Sequence, residues 1–92
     1  MLDELNERII LSGKVYKLTF YQNVLLEYLI ANKHRLVSAT ELARYVYDSE
    51  EDKIILNKLR CLVFRINRKL GKHLQILSNR IGYKIIYIKE NK

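Results

Sequence analysis

The chain of 92 residues contains no proline and a single cysteine, and each scarcity excludes a class of structure. Without proline, nothing forces a break into its helices. One cysteine, Cys61, cannot form an intrachain disulfide, and the two histidines have no metal-ligand spacing with it or with each other. We therefore expect neither a disulfide framework nor a zinc site, and a reducing cytoplasm fits this chain best.

Long apolar runs are missing as well. No stretch approaches the roughly 20 apolar residues that cross a bilayer, and the acidic start of the chain, Met1–Glu7, is unlike a signal peptide. A chain of this length buries one modest core, and its hydrophobic fraction of 49% is ordinary for a globular protein. We therefore expect a single cytoplasmic domain over residues 1–92.

Acidic residues are absent from most of the second half of the chain, with no Asp or Glu between Lys53 and Lys89. Residues 1–52 carry nine acids and six bases, whereas residues 53–92 carry eleven bases and one acid. Such asymmetry favours a polyanionic partner, which is nucleic acid or, less often, an acidic membrane surface. No Ser/His/Asp set, paired carboxylates or glycine-rich phosphate loop occurs, so we expect no enzyme activity and no cofactor.

Hydrophobic patterns and capping residues predict the order of elements in the first half. Two apolar-rich runs around Ser12-Gly13, within residues 7–19, predict a hairpin. Thr19 and Gln22 have the spacing of a capping box and open a first helix that ends near Asn32. We expect this helix to bury Leu25, Leu26, Leu29 and Ile30.

A second capping box, Ser38 with Glu41, opens a short helix that ends near Tyr47. Its apolar side consists of Leu42, Tyr45 and Val46. The acidic residues 48–52 then favour the positive end of the next helix, as acids at a helix N-terminus do.

The third helix is predicted over residues 52–70, because Gly71 is a good stop signal. Two strand-like runs, 74–77 and 83–88, flank the turn-forming segment Ser-Asn-Arg-Ile-Gly. The order of hairpin, three helices and hairpin predicts an α+β winged helix-turn-helix, whose third helix is the recognition helix and whose closing hairpin is the wing.

Side chains placed at about 100° intervals give the third helix two different faces. The core stripe consists of Leu59, Val63, Ile66 and Leu70, with Leu56 at its edge. Opposite it lie Asn57, Cys61, Phe64 and Arg68, flanked by Ile54, Arg65 and Lys58. Arg60 and Asn67 lie on one side boundary, and Lys69 lies on the other.

The outward face has the mixture that a helix in the major groove needs. Arg pairs with guanine, Asn pairs with adenine, and small apolar groups touch the thymine methyl, while marginal Lys and Arg side chains meet phosphates. In the closing turn, an arginine suits a narrow minor groove. The candidate DNA-binding residues are Asn57, Lys58, Arg60, Cys61, Phe64, Arg65, Arg68 and Lys69 in the helix, with Asn79 and Arg80 in the turn.

Each of these assignments has a plainer alternative. The arginines could form a solvated face, although no acid lies three or four residues away beyond the first turn of the helix, which excludes an intrahelical salt-bridge network. Cys61 could be a small buried apolar group, and Phe64 could pack on a neighbouring strand or a partner chain. Arg80 could lie in an ordinary exposed turn, and His73 could be a weak phosphate contact.

Four segments in sequence resemble the OmpR/PhoB-type winged-helix DNA-binding domain: LTFYQNVLLEYL, RLVSATELARYVY, VFRINRKLG and LSNRIGYKI. The resemblance covers about residues 8–88, and it depends on the order and spacing of motifs that are weak one by one. Val63, Arg65, Ile66 and Leu70 match the family's recognition-helix pattern, and Gly82-Tyr83 matches its wing strand. Asn67 stands where the family has an arginine. The position of Arg80 is similar to the membrane-anchored ToxR/CadC-like branch.

This resemblance implies a sequence-specific bacterial transcription regulator, of the kind found in two-component systems or in ToxR-like proteins. It implies double-stranded DNA as partner, a tandem dimer on DNA, and a contact between residues 48–52 and RNA polymerase. It also implies an N-terminal sheet of four strands, for which the chain has little room. A regulatory or membrane-anchoring region would then lie outside this chain, unless the chain is a stand-alone regulator.

A second function remains open from the sequence. Phe64, Cys61 and Ile54 could form a docking patch, so that the winged helix binds a protein and not DNA. The closing tyrosines, Tyr83 and Tyr87, indicate sheet packing and not the stacking platforms that RNA binding needs.

Overall fold

The computed structural model describes residues 1–49 and 52–88. Its elements in chain order are β1 (Leu2–Asp3), β2 (Arg8–Leu11), β3 (Lys14–Lys17), α1 (Phe20–Ala31), α2 (Ala39–Tyr47), α3 (Lys53–Leu70), β4 (Leu74–Ser78) and β5 (Tyr83–Tyr87). They form an α+β fold with three helices and two small antiparallel sheets, which confirms the predicted class. The arrangement is compatible with a winged helix.

The N-terminal sheet has the strand order β1-β2-β3. Ser12 and Gly13 both take positive φ angles, 50° and 77°, which suit the tight turn of a hairpin, so the predicted β2–β3 hairpin is confirmed. The sequence does not predict β1, because a two-residue strand has no measurable periodicity. β1 pairs Leu2 with Ile9, and the sheet has one strand fewer than the family resemblance implies.

The first helix begins with the predicted capping box. The Thr19 hydroxyl accepts from the Gln22 amide at 3.2 Å, and the Gln22 side chain accepts from the Thr19 amide at 3.0 Å. Each side chain satisfies a backbone N–H that the helix itself leaves free. Of the predicted buried face, Leu25, Leu26 and Leu29 are buried, whereas Ile30 is half-buried.

The second helix begins at Ser38, whose hydroxyl accepts from the Glu41 amide at 3.1 Å. The Glu41 carboxylate accepts from Arg35 at 3.1 Å and from the Tyr28 hydroxyl, so it ties α2 to α1 and to the loop between them. Tyr45 was expected on the apolar side of α2, and this is wrong. It is exposed, because its ring lies against Tyr28 on the outer side of α1, with ring centroids 4.2 Å apart.

The third helix begins after Asp52, whose carboxylate accepts from the Ile55 amide at 2.8 Å. This confirms the capping role predicted for the acidic connection at Asp52, while residues 50 and 51 lie outside the described part. The helix ends at Gly71, as predicted. A Cβ atom at Gly71 would lie 2.4 Å from the Asn67 carbonyl oxygen, so close backbone approach favours glycine there.

The C-terminal sheet consists of the β4–β5 hairpin and a bridge to the loop between α1 and α2. Val37 and Tyr83 exchange two backbone hydrogen bonds, each 2.8 Å long. A Cβ atom at Gly82 would lie 2.2 Å from the Val37 carbonyl oxygen, so only glycine permits this approach. The bridge fixes the hairpin to the helical part of the molecule.

One core joins both sheets to the three helices. The residues that are almost completely inaccessible come from every layer: Ile9, Leu25, Leu26, Leu29, Val37, Leu42, Leu59, Ile66, Leu70 and Leu74. None of the helices in the described part of the chain combines the length and apolar character that crossing a bilayer requires.

Candidate nucleic-acid interface

The inner face of α3 is the predicted core stripe. Leu59, Ile66 and Leu70 are fully inaccessible, and Val63 is 7% exposed. Leu62 is also buried, because α1 and α2 extend the core to its side of the helix. The predicted core stripe does not include this residue. The inner face therefore fixes how α3 is rotated about its axis, and that rotation decides which side chains face outward.

The outward face of α3 is polar, cationic and partly apolar. All the candidate residues of the helix are exposed: Asn57, Lys58, Arg60, Cys61, Phe64, Arg65, Arg68 and Lys69. Cys61 is therefore not the buried apolar group that the sequence left as an alternative. Phe64 is 63% exposed, so it is not covered by a strand within the described residues 1–49 and 52–88. The buried alternative for Cys61 and the strand-packing alternative for Phe64 are thus removed, while packing of Phe64 on a partner chain stays open.

Four candidate residues meet in one cleft. One wall of a groove of about 640 Å³ is formed by four residues along the first two thirds of α3: Asn57, Lys58, Cys61 and Arg65. The other wall comes from Thr19 and Tyr21 at the start of α1 and from Tyr47 at the end of α2. Ile54 and the buried Leu62 complete the lining.

Lys69 lies on the margin of α3 opposite Arg60, near the end of the helix, and contacts the end of β3 and the start of α1. Its ammonium donates to the Lys17 carbonyl at 2.6 Å and to the Gln22 side chain at 3.4 Å. The side chain thus joins the end of α3 to the end of β3 and the start of α1. An ammonium in this position still adds positive charge to the margin, because carbonyl and amide groups do not neutralise it.

Arg60 lies on the side of α3 that is nearer the C-terminal sheet. Burial raises the pKa of the Tyr83 hydroxyl, and the positive charge of Arg60 opposes that rise. Arg60 therefore acts on Tyr83 of β5, and it is not among the residues that line the cleft. Arg68 and Phe64 lie between these two groups on the exposed surface.

Asn79 and Arg80 lie in the turn between β4 and β5, and both are exposed. The Asn79 carbonyl oxygen of the side chain accepts from the amides of Ile81 and Gly82, at 2.8 and 3.1 Å. This local bonding shapes the turn, as Asn side chains commonly do. Asn79 therefore stabilises the turn, and Arg80 is an exposed residue within that turn.

Asn67 is a residue whose part the sequence does not explain. Its amide donates to the Ile76 carbonyl at 3.0 Å, and its oxygen accepts from the Ile76 amide at 2.7 Å. The side chain therefore pairs with one residue of β4 as a neighbouring strand would. An arginine at this position could not accept from the amide, so Asn67 positions the hairpin against α3.

Tyr21 and Tyr47 were missed as members of the site. Their ring centroids are 5.1 Å apart, with 41° between the ring planes. No sequence signal places the first turn of α1 beside the first half of α3, since that depends on tertiary packing. The helical period alone finds residues on α3 and none on its neighbours.

The remaining sequence assignments have definite places. His73, a possible phosphate contact, lies 3.0 Å from the Tyr16 hydroxyl and links the end of α3 to β3. Within residues 1–49 and 52–88, no three side chains of the His, Cys, Asp and Glu types come together to hold a metal ion. The segment expected to contact RNA polymerase, 48–52, is described only at Asp48, Ser49 and Asp52.

Comparisons with known proteins return no relative: no family model matches the chain, and no curated protein matches it significantly. The geometry of α3 and of the β4–β5 turn is therefore the basis for assigning a function.

Proposed function

We propose that the protein is a winged-helix domain that binds double-stranded DNA sequence-specifically and regulates transcription in a bacterium. In this proposal α3 lies in the major groove and the β4–β5 turn, as the wing, lies at the minor groove. The observation that supports it best is the exposed face of α3. Every candidate residue on that face is accessible, and no acidic residue follows Asp52 before residue 90.

The chemistry of this face suits base recognition. Arg65 is exposed near the middle of α3, and a guanidinium can pair bidentately with guanine. Asn57 lies two turns earlier and can pair with adenine, while Cys61 between them can touch a thymine methyl. These contacts would supply specificity.

The margins of the face suit phosphate binding. Lys58, Arg60 and Lys69 carry positive charge on the two sides of the helix, and Arg68 adds charge near the C-terminal end of the outward face. Contacts of this kind supply affinity and register without reading sequence. Arg80 in the turn would enter the minor groove, where a narrow groove concentrates negative potential.

The biological setting follows from the resemblance to OmpR/PhoB-type domains and is part of the proposal. The protein would act in the bacterial cytoplasm, alone or as the cytoplasmic DNA-binding part of a two-component or ToxR-like regulator. Two copies would bind in tandem on DNA, and residues 48–52 would contact RNA polymerase. Neither an enzyme activity nor a cofactor belongs to this proposal.

Selection of bound duplexes from a random pool, followed by footprinting, tests the proposal. We expect a motif to be enriched and a footprint to cover it, with spaced half-sites if two copies bind. We also expect affinity to fall steeply with salt, because binding releases counterions. Recovery of a pool no different from its input, at low salt, would contradict the proposal.

A protein-binding winged helix is the second candidate, because Phe64 and Ile54 are 63% and 68% exposed on α3. Large exposed apolar groups are common where proteins dock. Gel filtration separates the two candidates. A stable complex with a protein, together with no duplex binding at low salt, would favour the second.

A further inference from the structure

The groove between α3, the start of α1 and the end of α2 has features that duplex binding does not require. We call it the aromatic cleft and define it by Tyr21, Tyr47, Ile54, Lys58, Cys61 and Arg65. Its volume of about 640 Å³ falls within the range of roughly 300–1,000 Å³ typical of small-molecule sites. Protein surfaces that face DNA are polar and cationic, whereas much of this lining is aromatic or aliphatic.

The walls of the cleft suit a flat aromatic ring. The Tyr21 and Tyr47 rings stand 5.1 Å apart and are tilted by 41°, so a third ring can pack against either face or edge. Ile54, which is 68% exposed, and the buried Leu62 add aliphatic surface to the lining. Burial raises the pKa of the Tyr47 hydroxyl above its ordinary value, so it stays a hydrogen-bond donor at neutral pH as an unperturbed tyrosine does.

The charge of the cleft suits an anion. Lys58 and Arg65 are its charged residues, and both are positive. They lie seven residues apart on one side of α3, a separation of about 10 Å along the helix axis. Within residues 1–49 and 52–88, the structure pairs neither of them with a carboxylate. An aromatic ring packed against the face or edge of these tyrosines would place an attached carboxylate within reach of one of these cations.

We propose that the aromatic cleft binds a small planar aromatic carboxylate and that the occupied cleft cannot bind duplex DNA. The loss of duplex binding rests on the proposed function, because the two ligands would share four residues: Asn57, Lys58, Cys61 and Arg65. The binding of the aromatic carboxylate, which is the first part of the proposal, does not depend on the proposed function. The ligand would thus regulate the domain by competing for its recognition helix.

Titration of the full chain with 2-naphthoate, followed by amide chemical shifts, tests the first part. We expect saturable shifts concentrated at the start of α1, the end of α2 and the first half of α3. The neutral 2-naphthamide, which has the same ring, should bind about twofold to fivefold more weakly, the usual effect of one exposed ion pair. Acetate, which has the charge and no ring, should give no saturable shifts at the cleft.

Two pairs of variants make the test specific. Cys61→Trp places a large ring in the cleft from an exposed position and should abolish 2-naphthoate binding, whereas Val15→Trp on the exposed edge strand β3 should leave it unchanged. Lys58→Gln should weaken binding about twofold to fivefold, whereas Lys72→Gln, outside the cleft, should have no effect. Equal shifts with acid and amide, or unchanged affinity in Cys61→Trp, would overturn the site.

Competition then tests the regulatory part separately. We expect 2-naphthoate, at a concentration that saturates the wild-type cleft, to displace a bound duplex from the wild-type protein and not from a Tyr21→Ala variant, which changes the cleft and none of the proposed DNA-binding residues. If the duplex stays bound at saturation, the regulatory part is wrong and the ligand site stands. If 2-naphthoate binds at the cleft and no duplex binds at low salt, the proposed function fails while the ligand site stands.

Discussion

At the scale of single residues, the proposed function divides the exposed side chains of α3 into base contacts and phosphate contacts. Arg65 is exposed and lines the aromatic cleft, and the proposal makes it a base contact. Lys69 is held by the Lys17 carbonyl and supplies charge at the margin. Both ends of the Asn67 side-chain amide bond to Ile76 of β4, so the proposed function gives Asn67 no contact with a base.

This division predicts different effects for two substitutions. Arg65→Ala should reduce affinity for the selected duplex by about 1–3 kcal/mol and lessen the preference over a scrambled duplex. Lys69→Ala should weaken both duplexes alike, because a phosphate contact carries no sequence information. Fluorescence anisotropy with the two duplexes measures this. An unchanged preference in Arg65→Ala would show that the recognition assignment is wrong.

Asn67 has a testable effect on stability. Asn67→Ala leaves the amide and carbonyl of Ile76 without their partners in a partly buried place, so the free energy of unfolding should fall by about 1–3 kcal/mol. Asn57→Ala is the matched control, since Asn57 is exposed on the same helix and should change stability by less than about 0.5 kcal/mol. Urea unfolding that is identical for the two variants would contradict this account.

At the scale of elements, the close contact between Gly82 and Val37 positions the C-terminal hairpin. Gly82→Ala should break the two backbone hydrogen bonds between Val37 and Tyr83, because the Cβ of the alanine would lie 2.2 Å from the Val37 carbonyl oxygen. Gly13→Asn is the control: no atom lies within 4 Å of a Cβ there, and Asn tolerates its positive φ angle. Hydrogen exchange should quicken at the Val37 and Tyr83 amides in Gly82→Ala alone. Unchanged exchange there would show that the bridge does not need glycine.

The loop between α1 and α2 carries a pH-dependent contact. Hydrogen bonds from Arg35 and then Tyr28 lower the pKa of Glu41 from 4.5 to about 2. A pKa lower in the folded state than in the unfolded state stabilises the fold above pH 4.5, and this stabilisation is lost as the pH falls toward 2. Because both side chains are partly exposed, we expect only about 0.5–1 kcal/mol.

Comparison of the wild type with Glu41→Gln measures this contribution. The difference in urea stability between the two proteins should be present near pH 6 and should shrink near pH 3. Effects of other acids, such as Asp3, are common to both proteins and cancel in the difference. A difference that stays constant between these pH values would mean that the Glu41 charge does not contribute.

The elements show which parts of the fold the sequence can predict. Thr19, Ser38 and Asp52 are local signals, and each begins its helix where it was predicted. The Ser12-Gly13 turn is equally local. In contrast, β1 is too short to carry a pattern, and the exposure of Tyr45 depends on its packing against Tyr28. Propensity and periodicity say nothing about such contacts between distant parts of a chain.

The candidate site shows the same limit. The helical period of α3 predicts which of its residues face outward, and all of them are exposed. The partners of that face, Tyr21 and Tyr47, come from other helices and could not be predicted. Asn67 was placed correctly at the side of the helix, but its bonds to Ile76 need the position of β4.

At the scale of the whole molecule, positive charge is concentrated in the elements that carry the proposed DNA-binding surface. The acid-free part of the chain forms α3 and the C-terminal hairpin, while most acids belong to the first half. The single cysteine lies on that surface and is exposed, which makes it a natural reporter. A thiol covered by a ligand reacts more slowly with an alkylating reagent than a free one.

The most direct test of DNA binding through α3 is the rate at which iodoacetamide alkylates Cys61, measured with and without a long duplex at low salt. We expect the duplex to slow alkylation at Cys61 by more than about tenfold and to leave the rate unchanged in a Cys61→Ser/Val15→Cys variant, whose thiol lies on β3. Equal rates at Cys61 with and without bound duplex would contradict the claim that α3 is the DNA-binding surface.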